Sequence, residues 1–163
     1  MLGLMQDWPL LCHRIIDHAA TYHTHRPVVS RSVEGPIHRT DYGQLRGRAL
    51  RVAQRLARDG IGIGDRIATL AWNTWRHVET WYGVFGVGAI CHTVNPRLFP
   101  DQIAWIVNDA QDRVMIEGQQ RNMDDVAVDK RKPVFLEVDA GPVRFRRIMD
   151  ELIEKERAAL IEA

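Results

Sequence analysis

The sequence predicts an open α/β sheet assembled from strand–helix–strand units, and three observations carry that prediction. Two apolar runs, Arg66–Trp72 and Ala89–Val94, are each bounded by turn signals and read as strands covered on both faces. A helix-length segment separates them, which makes a βαβ unit with a right-handed crossover. The chain, at 163 residues, is long enough for one ordinary domain and too short for two.

Each element has its own signal. Leu11, Ile15, Ile16 and Ala19 recur at helical spacing within residues 8 to 25, and Pro27 stops that helix. Val28 to Val33 and Ile37 to Thr40 form a hairpin around a Glu34-Gly35-Pro36 turn. Asp41 stands where an N-cap belongs, because its carboxylate accepts from unpaired first-turn amides. The helix it opens runs to about Asp59, with Leu45, Ala49, Val52, Ala53, Leu56 and Ala57 on one stripe, and Gly60 ends it. Asn73-Thr74 caps a helix over about 75–87. Its Gly83 and Gly86, with Gly88 just beyond, are expected to permit close approach to a sheet. Pro100-Asp101 opens a helix to about Ala110, with Ile103, Ile106 and Val107 inward, and Arg113–Ile116 is a third strand. Beyond Ile116 the character changes: 117–132 is polar, 133–138 is a fourth strand, and 143–162 is a charged helix. The expected division is 1–116 as the α/β unit and 117–163 as a divergent tail of unknown origin.

Composition excludes several classes. A formal net charge of +1 gives no global footprint for nucleic acid. No apolar run approaches the ~20 residues needed to span a bilayer. The apolar start MLGLMQDWPLL carries Asp7 and lacks a basic leader region, so it reads as no signal peptide and the expected location is cytoplasmic. Cys12 and Cys91 lack metal or redox spacing and read as reduced thiols.

The motifs that suggest chemistry have plainer readings. In Gly60-Ile61-Gly62-Ile63-Gly64 the glycines follow a helix and precede a strand, the reverse of a phosphate loop, so a structural turn is expected. His13 and Asp17 share a helix face, but no third metal ligand joins them, and His18, His23 and His25 read as surface or half-buried residues. His92 would need a partner to act as an acid or base, and the sequence places none. Around it, Asn95-Pro96 reads as a turn and Arg97 as the partner of a carboxylate. The five tryptophans, Trp8, Trp72, Trp75, Trp81 and Trp105, read as core or interface.

The run from Thr40 to Val114 resembles the adenylate-forming enzymes, specifically the N-terminal part of medium- and long-chain fatty acyl-CoA synthetases, with the likeness extending over about residues 8–116. Arg39-Thr40-Asp41-Tyr42-Gly43-Gln44-Leu45 matches the first core motif, followed by Gly64-Asp65-Arg66-Ile67-Ala68 and Leu70-Ala71-Trp72-Asn73-Thr74. His92-Thr93-Val94-Asn95-Pro96-Arg97-Leu98 matches the second core motif, and Gln102–Asn108 with Asp112-Arg113-Val114 fit the elements that follow. The resemblance implies a two-step reaction: a fatty acid and ATP give an acyl-adenylate and pyrophosphate, then coenzyme A displaces AMP. For the full-length family it implies ATP, magnesium and coenzyme A. The Ser/Thr/Gly-rich phosphate loop ending Pro-Lys, the Thr-Glu motif and the Thr-Gly-Asp motif do not occur in these 163 residues. The resemblance therefore assigns no catalytic, cofactor-binding or metal residue and no cofactor to this chain. The expected function is a partial acyl-CoA ligase, inactive alone. The alternative is a non-catalytic interaction or oligomerisation module built from the same subdomain. Apolar surface left uncovered is expected to drive self-association, with no nucleic-acid partner.

Overall fold

A computed structural model describes residues 3–4, 7–31, 36–118 and 134–138. Its elements, in chain order, are α1 (His13–Tyr22), β1 (Pro27–Arg31), β2 (Ile37–Asp41), α2 (Tyr42–Arg58), β3 (Arg66–Leu70), α3 (Trp75–Gly86), β4 (Ile90–Val94), α4 (Pro100–Ala110), β5 (Val114–Gly118) and β6 (Val134–Val138). The expected hairpin turn and the expected helix over 143–162 lie outside the described residues.

Caps set the helix ends as the residue types require. Asp41 Oδ1 accepts from the Gln44 backbone N–H at 2.8 Å and Oδ2 from the Gln44 side chain at 2.7 Å, and these bonds hold its carboxyl below the usual carboxylate range. Gly60, at φ +75°, closes α2 in the left-handed region. Thr74 occupies the N-cap of α3 but makes no side-chain cap bond. The acceptor comes from β1 instead, where Ser30 Oγ takes the Trp75 N–H at 3.2 Å. That bond ties the antiparallel β1–β2 hairpin to the main sheet's first crossover helix.

The main sheet is parallel, in the order β4-β3-β5-β6. The β3-to-β4 and β4-to-β5 steps run in opposite directions across the sheet, so right-handed crossovers place α3 and α4 on opposite faces. Packing agrees. Ala68, Leu70, Val94 and Met115 bury against Ile103, Ala104 and Val107 of α4. Ile67, Val114 and Ile116 bury against Leu56 of α2 and Val84 of α3. Four of the five β3 residues are buried, as the apolar run predicts. The second run departs from expectation. Among the described residues β4 is an edge strand with no strand paired beyond it, and Ile90 is half-exposed while only Val94 is buried.

The glycines of α3 also act differently from the expectation of contact with a sheet. Gly83 faces α2: a Cβ there would sit 2.5 Å from Val52 Cγ1 and 3.1 Å from the Ala49 carbonyl oxygen. The two helices cross with backbone against side chain, a distance only glycine allows. At Gly86 a Cβ would meet only Ala53 Cβ, at 3.4 Å. Gly83→Ala is therefore expected to lower stability by about 1–3 kcal/mol through overpacking, despite the ~1 kcal/mol gain in helix propensity. Gly86→Ala should leave stability unchanged or raise it. Urea denaturation of the two variants checks the contrast, and equal midpoints would count against the tight crossing.

Candidate functional site

Open α/β sheets bind ligands beyond the carboxyl ends of their strands, where crossovers diverge to opposite faces. Here that point lies between β3 and β5. Gly118, the last residue of β5, approaches Ala71 so closely that a Cβ would lie 2.9 Å from the alanine methyl. After β4, the Asn95 side chain accepts from the Arg97 backbone N–H at 2.9 Å, fixing the expected Asn-Pro turn. Among the described residues Arg97 meets no carboxylate of the kind expected; its guanidinium lies 5.2 Å from the centre of the Trp72 ring. Trp72 follows β3 directly, so a neighbouring aromatic face meets the cation before any acid does.

Beside this edge, an open pocket of about 370 Å³ lies between β1 and the start of α3, lined by residues including Val28, Val29, Trp75, Val78 and Trp81. Its floor is a buried polar network around His77. Trp81 Nε1–H donates to His77 Nε2 at 2.9 Å, and Thr69 Oγ1 lies 3.0 Å from the same nitrogen. Indole nitrogen only donates, so Nε2 accepts and the neutral ring carries its proton on Nδ1. Burial pushes the His77 pKa down, opposed by the hydrogen bond to the Trp72 backbone. The network is internally satisfied and fixes how α3 sits on β3.

His92 has a partner that the sequence did not reveal. Its Nδ1 is 2.7 Å from Asp112 Oδ2, and the Asp112 side chain is fully buried in the link between α4 and β5. Burial raises the Asp112 pKa, with the His92 hydrogen bond working against it. A second buried acid, Glu79, receives Arg48 at 2.6 Å, and burial raises its pKa against the pull of that guanidinium. Arg48 also lies over Trp75, whose ring stacks on His38 with centroids 4.2 Å apart. Burial, with the nearby Asp112 charge adding to it, pushes the Cys91 thiol up to about 11 and holds it protonated.

Phosphate groups fit poorly on these residues. In the glycine turn, Ile61 N donates to the Leu56 carbonyl, Gly62 N to Asp65 Oδ2 and Gly64 N to the Gly88 carbonyl. Those amides are consumed by the protein and none of the three faces an anion. Asp17, which shares a helix face with His13, pairs with Arg46 at 2.6 Å. Among the described residues no group of three or more His, Cys, Asp or Glu side chains is placed to hold a metal ion, and no helix is long and apolar enough to cross a membrane.

The profile of the AMP-binding enzyme family matches residues 16–160. The chain belongs to the AMP-binding enzymes. Its relatives include the 3-methylmercaptopropionyl-CoA ligase of Ruegeria lacuscaerulensis, 48% identical over 115 residues that cover 71% of this chain and 21% of that protein. The medium-chain-fatty-acid–CoA ligase of Ectopseudomonas oleovorans is 42% identical over 116 residues, again 71% and 21% of the two chains. Among solved structures, one described as a long-chain-fatty-acid CoA ligase of Rhodopseudomonas palustris superposes with a TM-score of 0.69 at 28% identity, over 86% of this chain and 36% of its own. The chain thus spans about a fifth of the length of the relatives it matches.

In this AMP-binding chain the two motifs that carried the resemblance have structural duties. The first forms the β2–α2 junction with its Asp41 cap, and the second forms the end of β4, the Asn95 turn and the Arg97–Trp72 contact. The His77–Trp81 pair had a sequence signal, since residues four apart on a helix are neighbours. Asp112 and Glu79 had none, because their partners lie 20 and 31 positions away along the chain.

The pH dependence follows from His77. A histidine whose folded pKa is depressed contributes stability above its unfolded value of ~6.5, and that stability is lost as the pH falls. The raised pKa values of Asp112 and Glu79 act in the opposite sense, because protonation relieves their burial. Between about pH 7.5 and 6 the wild type is expected to lose stability on acidification, and His77→Gln should flatten that slope. Urea midpoints across this range check it; parallel slopes would remove His77 from the account. Separately, His92→Ala leaves the buried Asp112 carboxylate without its partner and should cost about 1–3 kcal/mol. In an Asp112→Asn background the same change should cost measurably less.

Proposed function

We propose that the chain forms the N-terminal subdomain of an ATP-dependent fatty acyl-CoA ligase and does not make acyl-adenylate by itself. The observation that carries the reading is the ordered run of family motifs from Thr40 to Val114, folded as β2-α2-β3-α3-β4-α4-β5 within a family match over residues 16–160. In the proposed reaction a fatty acid carboxylate attacks the α-phosphate of ATP, pyrophosphate leaves, and the thiol of coenzyme A then displaces AMP. Triphosphate and magnesium need donors and cations aimed at charge that develops during transfer. The sequence contains no Ser/Thr/Gly-rich phosphate-loop motif ending Pro-Lys, and the described glycine turn has its amides occupied. Residues 1–116 are proposed as the portion shared with the ligases, and 117–163 as a divergent continuation; β6 pairing parallel to β5 supports placing at least 134–138 in the same sheet. A cytoplasmic location is part of the same proposal.

The purified chain, given ATP, magnesium and a medium-chain fatty acid, should form no acyl-hydroxamate above background; turnover would sink the inactivity claim. A chimera tests the family role. Residues 1–116 substituted for the matching segment of the Ruegeria lacuscaerulensis ligase should retain ligase activity within about tenfold. On its own the chain exposes Trp8, Leu10, Leu11, Ile15 and Tyr22 along the α1 side, which favours self-association. Light scattering after size exclusion should show heterogeneous association. A single defined oligomer would favour an oligomerisation module instead.

A further inference from the structure

The pocket between β1 and the start of α3 encloses about 370 Å³, a size typical of small-molecule sites. A dry cavity of about 150 Å³ accepts a benzene ring, so this one has room for a substituted ring or for two fused rings. Val28 and Val29 of β1 and Val78 of α3 give it an apolar wall, and Trp75 and Trp81 add aromatic surface. Both indoles are held by the protein itself: Trp75 stacks on His38, and Trp81 donates its Nε1–H to His77. Walls fixed in this way lose little freedom when a guest enters.

The polar groups of the wall are few and uncharged. Ser30 Oγ accepts the Trp75 N–H, which leaves its hydroxyl hydrogen to be donated, and Thr74 makes no side-chain cap bond. His77 is neutral, with Nε2 taken by Trp81. The guanidinium groups of Arg48 and Arg76 lie against Trp75, and among the described residues neither lines the pocket. An ion entering here loses its water without gaining a counter-charge. We propose that this pocket binds an uncharged aromatic molecule of one or two rings, seated against Val29, Val78 and Trp81, with a hydroxyl or carbonyl group at Ser30 and Thr74. A ring gains contact geometry with the Trp81 indole that an alkyl chain does not. The guest bridges the hairpin to α3, where Ser30 already joins them. No ATP, coenzyme A or acyl chemistry enters this inference, so it stands apart from the ligase reading.

The test is an NMR titration of the full 163-residue chain with naphthylmethanol as the probe. Binding is expected with a dissociation constant on the order of 0.1 mM, shifting the Trp81 Nε1–H and the Val29 and Val78 amides. Naphthoate and naphthylmethylammonium present the same rings with a charge, and each should bind weaker by about tenfold or more. Octanol, neutral but not aromatic, should also bind more weakly. Val29 is 53% exposed, so Val29→Phe places a phenyl ring in the pocket without displacing a buried group. That variant should lose about tenfold or more in affinity at an unchanged urea midpoint. If it unfolds, the charge series and the location of the shifts carry the test. Shifts that are absent up to the solubility of the probe, or that cluster elsewhere, overturn the inference. So does a charged isostere or octanol that binds as tightly, or a folded Val29→Phe that binds like the wild type. No turnover enters the readout, so a failed ligase chimera and a failed titration remain distinguishable.

Discussion

The contact between α2 and α3 at Gly83 governs much of the molecule. With no side chain at that position, α3 lies against Val52 and the Ala49 carbonyl. The same crossing brings Arg48 within 2.6 Å of Glu79 and over Trp75. Trp75 in turn meets His38 of β2 and receives its amide acceptor from Ser30 of β1. One missing methyl thus sets the spacing through which the hairpin, the first crossover helix and the sheet are joined. A buried ion pair contributes little net stability once desolvation is counted. What the Arg48–Glu79 pair supplies here is orientation, since a shifted helix would leave Glu79 buried and unpaired.

The fold was largely legible in the sequence because its signals are local. The Asp41 cap, the Gly60 stop and the apolar run of β3 each depend on residues within one turn or one strand, and each took its expected form. What was not legible depends on topology. The second apolar run gave no sign that it would lie at the sheet's edge, because Ile90 and Cys91 are as apolar as a central strand requires. The glycines of α3 announced a close approach without naming the neighbour, which proved to be α2. Arg97 was paired in expectation with an acid, but the turn after β4 places it against Trp72, which follows the neighbouring strand β3.

The same distinction separates the parts of the candidate site. His77 and Trp81 are one helical turn apart, so their contact was within reach of the sequence, yet the Thr69 that completes the network comes from the preceding strand. His92 looked unpartnered because Asp112 reaches it only after α4 has crossed the sheet. Buried polar groups of this kind need partners that the fold supplies at a distance.

The glycine turn shows why the motif language of phosphate binding misleads when read without direction. A phosphate loop works because helix-opening amides are left without acceptors and point outward together. Gly62 and Gly64 sit instead where α2 has ended and β3 is about to start, and local acceptors, Asp65 and the Gly88 carbonyl, take their protons. Gly64 and Gly88 adopt left-handed φ values of +84° and +74°, and that pairing joins the turn before β3 to the turn before β4. The glycines therefore align the amino ends of two parallel strands. The opposite, carboxyl edge of the same strands carries Arg97 and Trp72, so whatever ligand chemistry this sheet supports belongs there, at the end of the molecule farthest from its glycine turns.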